Sequence, residues 1–119
     1  MKDFRDLKVW HKARDLVLEV YRATRRFPKE EMFGLQSQLR RASVSIAANI
    51  AEGCGRSSGG DFARFLYVAM GSASELESHI EIAKNLQFLE SADHEKLISG
   101  VVEVKRMLAA LIVRVNSER

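Results

Sequence analysis

Apolar side chains recur at alternating steps of three and four through almost the whole chain, the spacing that lines one face of an α-helix. No segment shows the every-second-residue alternation of a half-buried strand. The repeat falls into four segments. The first runs over about residues 6–27, with Trp10, Ala13, Val17, Val20, Thr24 and Phe27 in register, and Pro28 ends it because the residue before a proline disfavours the helical region. The second covers about 31–53, with Leu35, Leu39, Ala42, Ile46 and Ile50 on one stripe. Residues 53–60 (GCGRSSGG) read as a loop, because so many glycines make a helix costly. The third segment covers about 61–87, with Asp61 as its N-cap and Phe62, Leu66, Ala69, Ala73, Leu76, Ile80 and Ala83 as its stripe. The fourth covers about 92–117, capped by Ser91, with Leu97, Val101, Val104, Leu108, Leu111 and Val115 facing inward.

Four helices joined by short connections become antiparallel neighbours, so the expected fold is all-α, an up-down-up-down four-helix bundle. At 119 residues the chain is one domain, 1–119, large enough to bury a core without staples. The single cysteine, Cys54, excludes an intramolecular disulfide and suits a reducing cytoplasm. The charged start of the chain does not read as a signal peptide, and no apolar run approaches the roughly 20 residues that span a membrane.

Two segments exceed what one bundle hides. Residues 42–51 (ASVSIAANIA) and 65–74 (FLYVAMGSAS) carry no charge over ten residues each. At 100° per residue Val44, Ala47, Ala48 and Ala51 lie well away from the Leu39/Ala42/Ile46/Ile50 stripe, and Tyr67, Val68 and Gly71 lie off the stripe of the third helix. A helix that is apolar all round is normally covered all round. Both stretches flank the same loop, so the hairpin sets them side by side, and the expected cover is another copy of the chain. The plainer alternative is that small apolar residues are tolerated at a surface.

Candidate chemistry is sparse. His11, His79 and His94 stand on three different helices, and the Glu-x-x-His pairs of dimetal bundles are missing, with Leu76 and Ser91 at the required positions. Glu75 and His79 stand one turn apart, as a surface pair does. Cys54 has no histidine nearby in sequence to act as a base. The glycine loop follows a helix and lacks the Gly-Lys-Ser/Thr ending of a phosphate loop. The expectation is therefore no catalytic residue, no metal, no cofactor and no small-molecule substrate.

Charge is unevenly spread. Residues 1–60 hold 12 Lys/Arg against 7 Asp/Glu, while residues 61–119 hold 7 against 9. Arg22, Arg25, Arg26 and Lys29 crowd the end of the first helix, with Arg40 and Arg41 in the second. Such residues contact phosphates with salt-dependent affinity. They also complement a helix C-terminus and pair with neighbours, Arg22 with Glu19, and Arg26 and Lys29 with Glu30 and Glu31. Both readings stand at this level.

Several motifs occur in a specific order: Phe4-Arg-Asp-Leu-Lys-Val-Trp10, Phe27-Pro-Lys-Glu-Glu31, Gly34-Leu35, Gln38-Leu-Arg-Arg-Ala42, Ser45-Ile46, Asn49-Ile-Ala-Glu-Gly53, Phe65-Leu66 and Gly71-Ser72. This set resembles the four-helix bundle protein family, also called the 23S ribosomal RNA intervening-sequence proteins, over nearly the whole chain. The resemblance implies a bacterial bundle that assembles as a ring-shaped homopentamer, similar in fold to a nucleic-acid-binding accessory protein of diversity-generating retroelements. Arg40 and Arg41 match the family's paired arginines, and Asn49, Glu52 and Gly53 its helix-ending motif. Ala47 stands where members often carry proline, which implies a straighter second helix, and His11 replaces a frequent glutamine with no role assigned.

The functional expectation is a non-enzymatic, cytoplasmic homo-oligomer. It binds RNA or DNA through Arg22, Arg25, Arg26, Lys29, Arg40 and Arg41 and self-associates through Val44, Ala47, Ala48, Ala51, Tyr67, Val68 and Gly71. The alternative is a protein-interaction scaffold in which the weak net charge of +3 has no nucleic-acid role.

Overall fold

Long amphipathic helices account for nearly all of residues 3–118, the part of the chain that the computed structural model describes. They are α1 (Lys8–Thr24), α2 (Leu35–Cys54), α3 (Gly59–Asn85) and α4 (Ser91–Ser117), with 3₁₀ turns at Phe4–Asp6 and Lys29–Glu31. No strand occurs among the described residues. Each helix packs on the next and α4 returns to α1, so the four close an antiparallel bundle. At 1.5 Å per residue the 27-residue helices α3 and α4 are about 40 Å long. They set the 46 Å long dimension of the molecule.

The helix ends depart from the sequence reading for local reasons. At the start, Asp3 accepts from the Arg5 N–H at 2.8 Å and closes a 3₁₀ turn, so α1 begins at Lys8. At its far end α1 tightens after Thr24, and Phe27 N–H bonds to Thr24 O at 3.1 Å before Pro28 turns the chain away. The next turn is 3₁₀, and α2 opens only at Leu35, whose N–H is satisfied by Glu31 Oε1 at 2.9 Å.

Half of the glycine-rich segment 53–60 is helical, which leaves only residues 55–58 between α2 and α3. Ser58, not Asp61, caps α3, accepting from Asp61 N–H at 3.1 Å. Asp61 sits in the first turn, where a negative charge meets the positive end of the helix dipole. Ser91 likewise falls inside α4 as its first residue, with Glu90 at the cap position. Gly53, in the last turn of α2, lies hard against α3: a Cβ there would fall 2.7 Å from Phe65 Cβ and 3.2 Å from Phe62 O. No larger residue fits that approach.

The end of α3 is a Schellman turn without glycine. Phe88 N–H reaches Ala83 O and Gln87 N–H reaches Lys84 O, both at 2.9 Å, with Gln87 at φ 65°. The turn delivers Phe88 onto Phe27, ring centroids 5.5 Å apart.

The core is a stack of Leu39, Ile46 and Ile50 from α2, Leu66, Leu76 and Ile80 from α3, and Leu97, Val101, Val104 and Leu108 from α4, all fully buried. Alanines 63, 69, 73 and 83 alternate with the large residues of α3 and let its neighbours approach. Two stripes are rotated from the expected register. On α1 the buried set is Val9, Ala13, Leu16, Val20, Ala23 and Thr24, while Trp10 and Val17 are half-buried; on α4 Ile112 is buried and Leu111 only partly. A 3.6-residue helix drifts against a strict seven-residue repeat, so the inward face shifts by one position along the bundle.

Candidate nucleic-acid and subunit interfaces

The six basic candidates do not form one cluster. Arg22 reaches across to α4 and bonds Asp93 Oδ1 at 2.8 Å while holding Glu19 Oε2 at 2.9 Å. Those two carboxylates keep its guanidinium even more firmly protonated than usual. Partial burial disfavours charge on Glu19, yet hydrogen bonds from Arg22 and Lys96 outweigh it and hold the carboxyl below its ordinary range. Arg26 faces Glu90 at 3.7 Å rather than Glu30 or Glu31. The α1–α4 seam is thus charge-balanced, and Arg22 and Arg26 belong to it.

The α1–α2 side is different. Arg40 Nε donates to Thr24 Oγ1 at 2.9 Å, and its guanidinium carbon lies 4.5 Å from the centre of the Tyr21 ring. Among the described residues Arg25, Lys29, Arg40 and Arg41 have no carboxylate partner. Along α2 from Leu35 to Ala51 there is no Asp or Glu, and Glu19 of α1 points the other way, toward Lys96 at 3.1 Å. Tyr21, Arg40, Arg41, Val44 and Ser45 line a shallow concavity of about 440 Å³. Cations without a carboxylate partner beside a partly exposed ring can take an anion with a flat group attached. The contribution of Tyr21 is absent from the sequence reading; its one signal was an aromatic residue off the α1 stripe, one turn before Arg25.

The charge-free stretches do lie side by side. Ser45 Oγ and Ser72 Oγ share a hydrogen bond of 2.8 Å between α2 and α3, and Asn49 Nδ2 donates to Ser45 O at 2.8 Å. On their outward faces Tyr67 is 57% exposed, Val68 46% and Val44 42%. Ala48 and Gly71 are exposed as well, while Ala47 and Ala51 are half-buried. Gly71 stands in the middle of α3, and a Cβ built there meets nothing within 4 Å. Glycine in a helix interior costs about 0.8–1 kcal/mol against alanine, and contacts within the chain give no reason for it.

Each histidine has a hydrogen-bond partner within the chain. His11 Nε2 bonds Arg5 O at 2.7 Å, fastening the first turn to α1. His79 pairs with Glu75 at 3.2 Å, and His94 bonds Glu81 across α3 and α4. Cys54 is buried at the end of α2. Among the described residues no group of three or more His, Cys, Asp or Glu is placed to hold a metal ion. No helix among them is long and apolar enough to cross a membrane.

Comparison with known proteins bears on the fold and the family. The family model described as 23S rRNA-intervening sequence protein matches residues 5–110. A 1.70 Å crystal structure from Bacteroides thetaiotaomicron VPI-5482, a protein of unknown function from the S23 ribosomal protein family, superposes with a TM-score of 0.79. It is 23% identical, and the match covers 87% of this chain and 97% of that one, a likeness of fold. No curated protein matches the chain.

Proposed function

The chain belongs to the 23S rRNA-intervening sequence protein family, and on that premise we propose that it is a non-enzymatic, cytoplasmic homo-oligomer that binds RNA or DNA. The assembly is the ring-shaped homopentamer that the family resemblance implies, closed through Val44, Ala47, Ala48, Ala51, Tyr67, Val68 and Gly71. The observation that carries nucleic-acid binding is the α1–α2 side, where Arg25, Arg40 and Arg41 face no carboxylate among the described residues. Lys29 adds to their charge, whereas Arg22 is held by Asp93 and Glu19, and Arg26 lies beside Glu90. Repetition around a ring turns a weak patch into a multivalent one.

Filter binding of RNA and DNA at two salt concentrations tests this reading. Wild type loses affinity steeply with salt, and the double variant Arg40→Glu, Arg41→Glu binds weakly with a flatter slope. Full affinity in a folded double variant removes those two arginines from the site.

A second reading, a protein-interaction scaffold, has its own support. Phe33 is 92% exposed on a turn whose geometry is pinned by the Glu31 bond to Leu35 N–H, with Met32 also exposed beside it. A pull-down that still enriches one protein after nuclease treatment, and loses it in Phe33→Ser, favours the scaffold.

A further inference from the structure

The Arg40 guanidinium is held in place as well as left without a carboxylate. Its Nε donates to Thr24 Oγ1, and that hydroxyl donates in turn to Val20 O at 2.8 Å, so the backbone of α1 orients the acceptor. Thr24 is fully buried, which keeps water from competing for the bond. A second contact runs from Nη2 to Tyr21 O at 3.4 Å, and the cation sits over the ring of Tyr21, a residue 39% exposed overall. The concavity they border with Arg41, Val44 and Ser45 contains no carboxylate.

Phosphate binding alone requires none of this. A mobile lysine would supply the same charge, and duplexes are gripped through their backbones while their bases stay stacked inside. A pre-set planar cation laid on a partly exposed aromatic ring instead offers a flat edge-and-face surface to a base that has no partner of its own. We infer that Tyr21 and Arg40 form a stacking platform for an unpaired base, with Arg25 and Arg41 taking the adjoining phosphates, so that the ligand is single-stranded nucleic acid. This deepens the proposed nucleic-acid reading and rests on it.

The test measures fluorescence anisotropy of the full-length protein with three probes of equal length: a single strand, its duplex, and a single strand carrying abasic positions. The single strand binds at least about fivefold tighter than either other probe, the smallest effect expected of one stacked base. Tyr21→Ala, and Arg40→Lys, which keeps charge but loses the plane, each bring the intact and abasic single strands to equal affinity. Equal affinity for the abasic and intact strands in wild type overturns the platform, and that comparison needs no variant to fold. If the duplex binds as well as the single strand and only Arg40→Glu with Arg41→Glu weakens it, the nucleic-acid reading survives and the platform does not. Absence of binding to every probe at low salt removes both.

Discussion

Replacing Gly71 by alanine separates what the bundle needs from what its assembly needs. Nothing lies within 4 Å of the added Cβ, so the isolated chain accepts it without a clash. It also removes a helix-interior glycine from α3, a gain of about 0.8–1 kcal/mol. Spread over a chain of 119 residues, that gain raises the thermal midpoint by roughly 3–5 °C. At a close-packed seam between copies the same methyl is an overpacking lesion of about 1–3 kcal/mol, or roughly 5- to 150-fold in association. Thermal unfolding at the lowest usable concentration reads the first effect, and sedimentation velocity over a concentration series reads the second. The expected result is a more stable subunit that assembles less well. A Gly71→Ala protein with raised stability and unchanged sedimentation would show that the α3 face is plain solvent-exposed surface, and a wild type sedimenting only at 13.5 kDa would do the same. Gly53→Ala is the internal control. Its Cβ would fall 2.7 Å from Phe65 Cβ, so it destabilises the subunit itself by about 1–3 kcal/mol despite the same propensity gain.

Three further outcomes follow from local geometry. Gln87→Gly relieves a left-handed backbone conformation at the end of α3 and raises stability by about 1 kcal/mol in urea titration; no gain would mean that Gln87 is held there without strain. Leu108→Ala opens the centre of the core and costs about 2–5 kcal/mol by the same titration, since Leu108 is fully buried. Glu19 has a folded-state carboxyl held below its unfolded value near 4.5, so its contribution is present above that pH and fades as the pH drops through the lower folded value. Glu19→Gln therefore destabilises at neutral pH and approaches wild type in acid, and a stability difference independent of pH would contradict the pairing with Arg22 and Lys96.

The helices and their stripes are legible because each is a local matter. Leu39, Ile46 and Ile50 recur with the helical period whatever surrounds them, and their burial follows from it. Helix ends are less legible, since they turn on competition between a few hydrogen bonds. Ser58 outbids Asp61 as a cap because Gly59 and Gly60 join the first turn of α3, and Gln87 takes a conformation usually left to glycine because Phe88 gains a place against Phe27. The candidate site was half legible. A run of arginines announces cationic character, but pairing depends on residues far away in the chain.

Residue types and their period were enough to specify four amphipathic helices, their antiparallel order and the two charge-free stretches, because those depend on neighbours within one or two turns. Tertiary structure alone decided which cations stay unneutralised. Arg22 meets Asp93, 71 positions along the chain, and Arg40 meets Thr24 and Tyr21 across a helix seam, and Coulomb and stacking energies depend on distances in space that sequence separation does not encode.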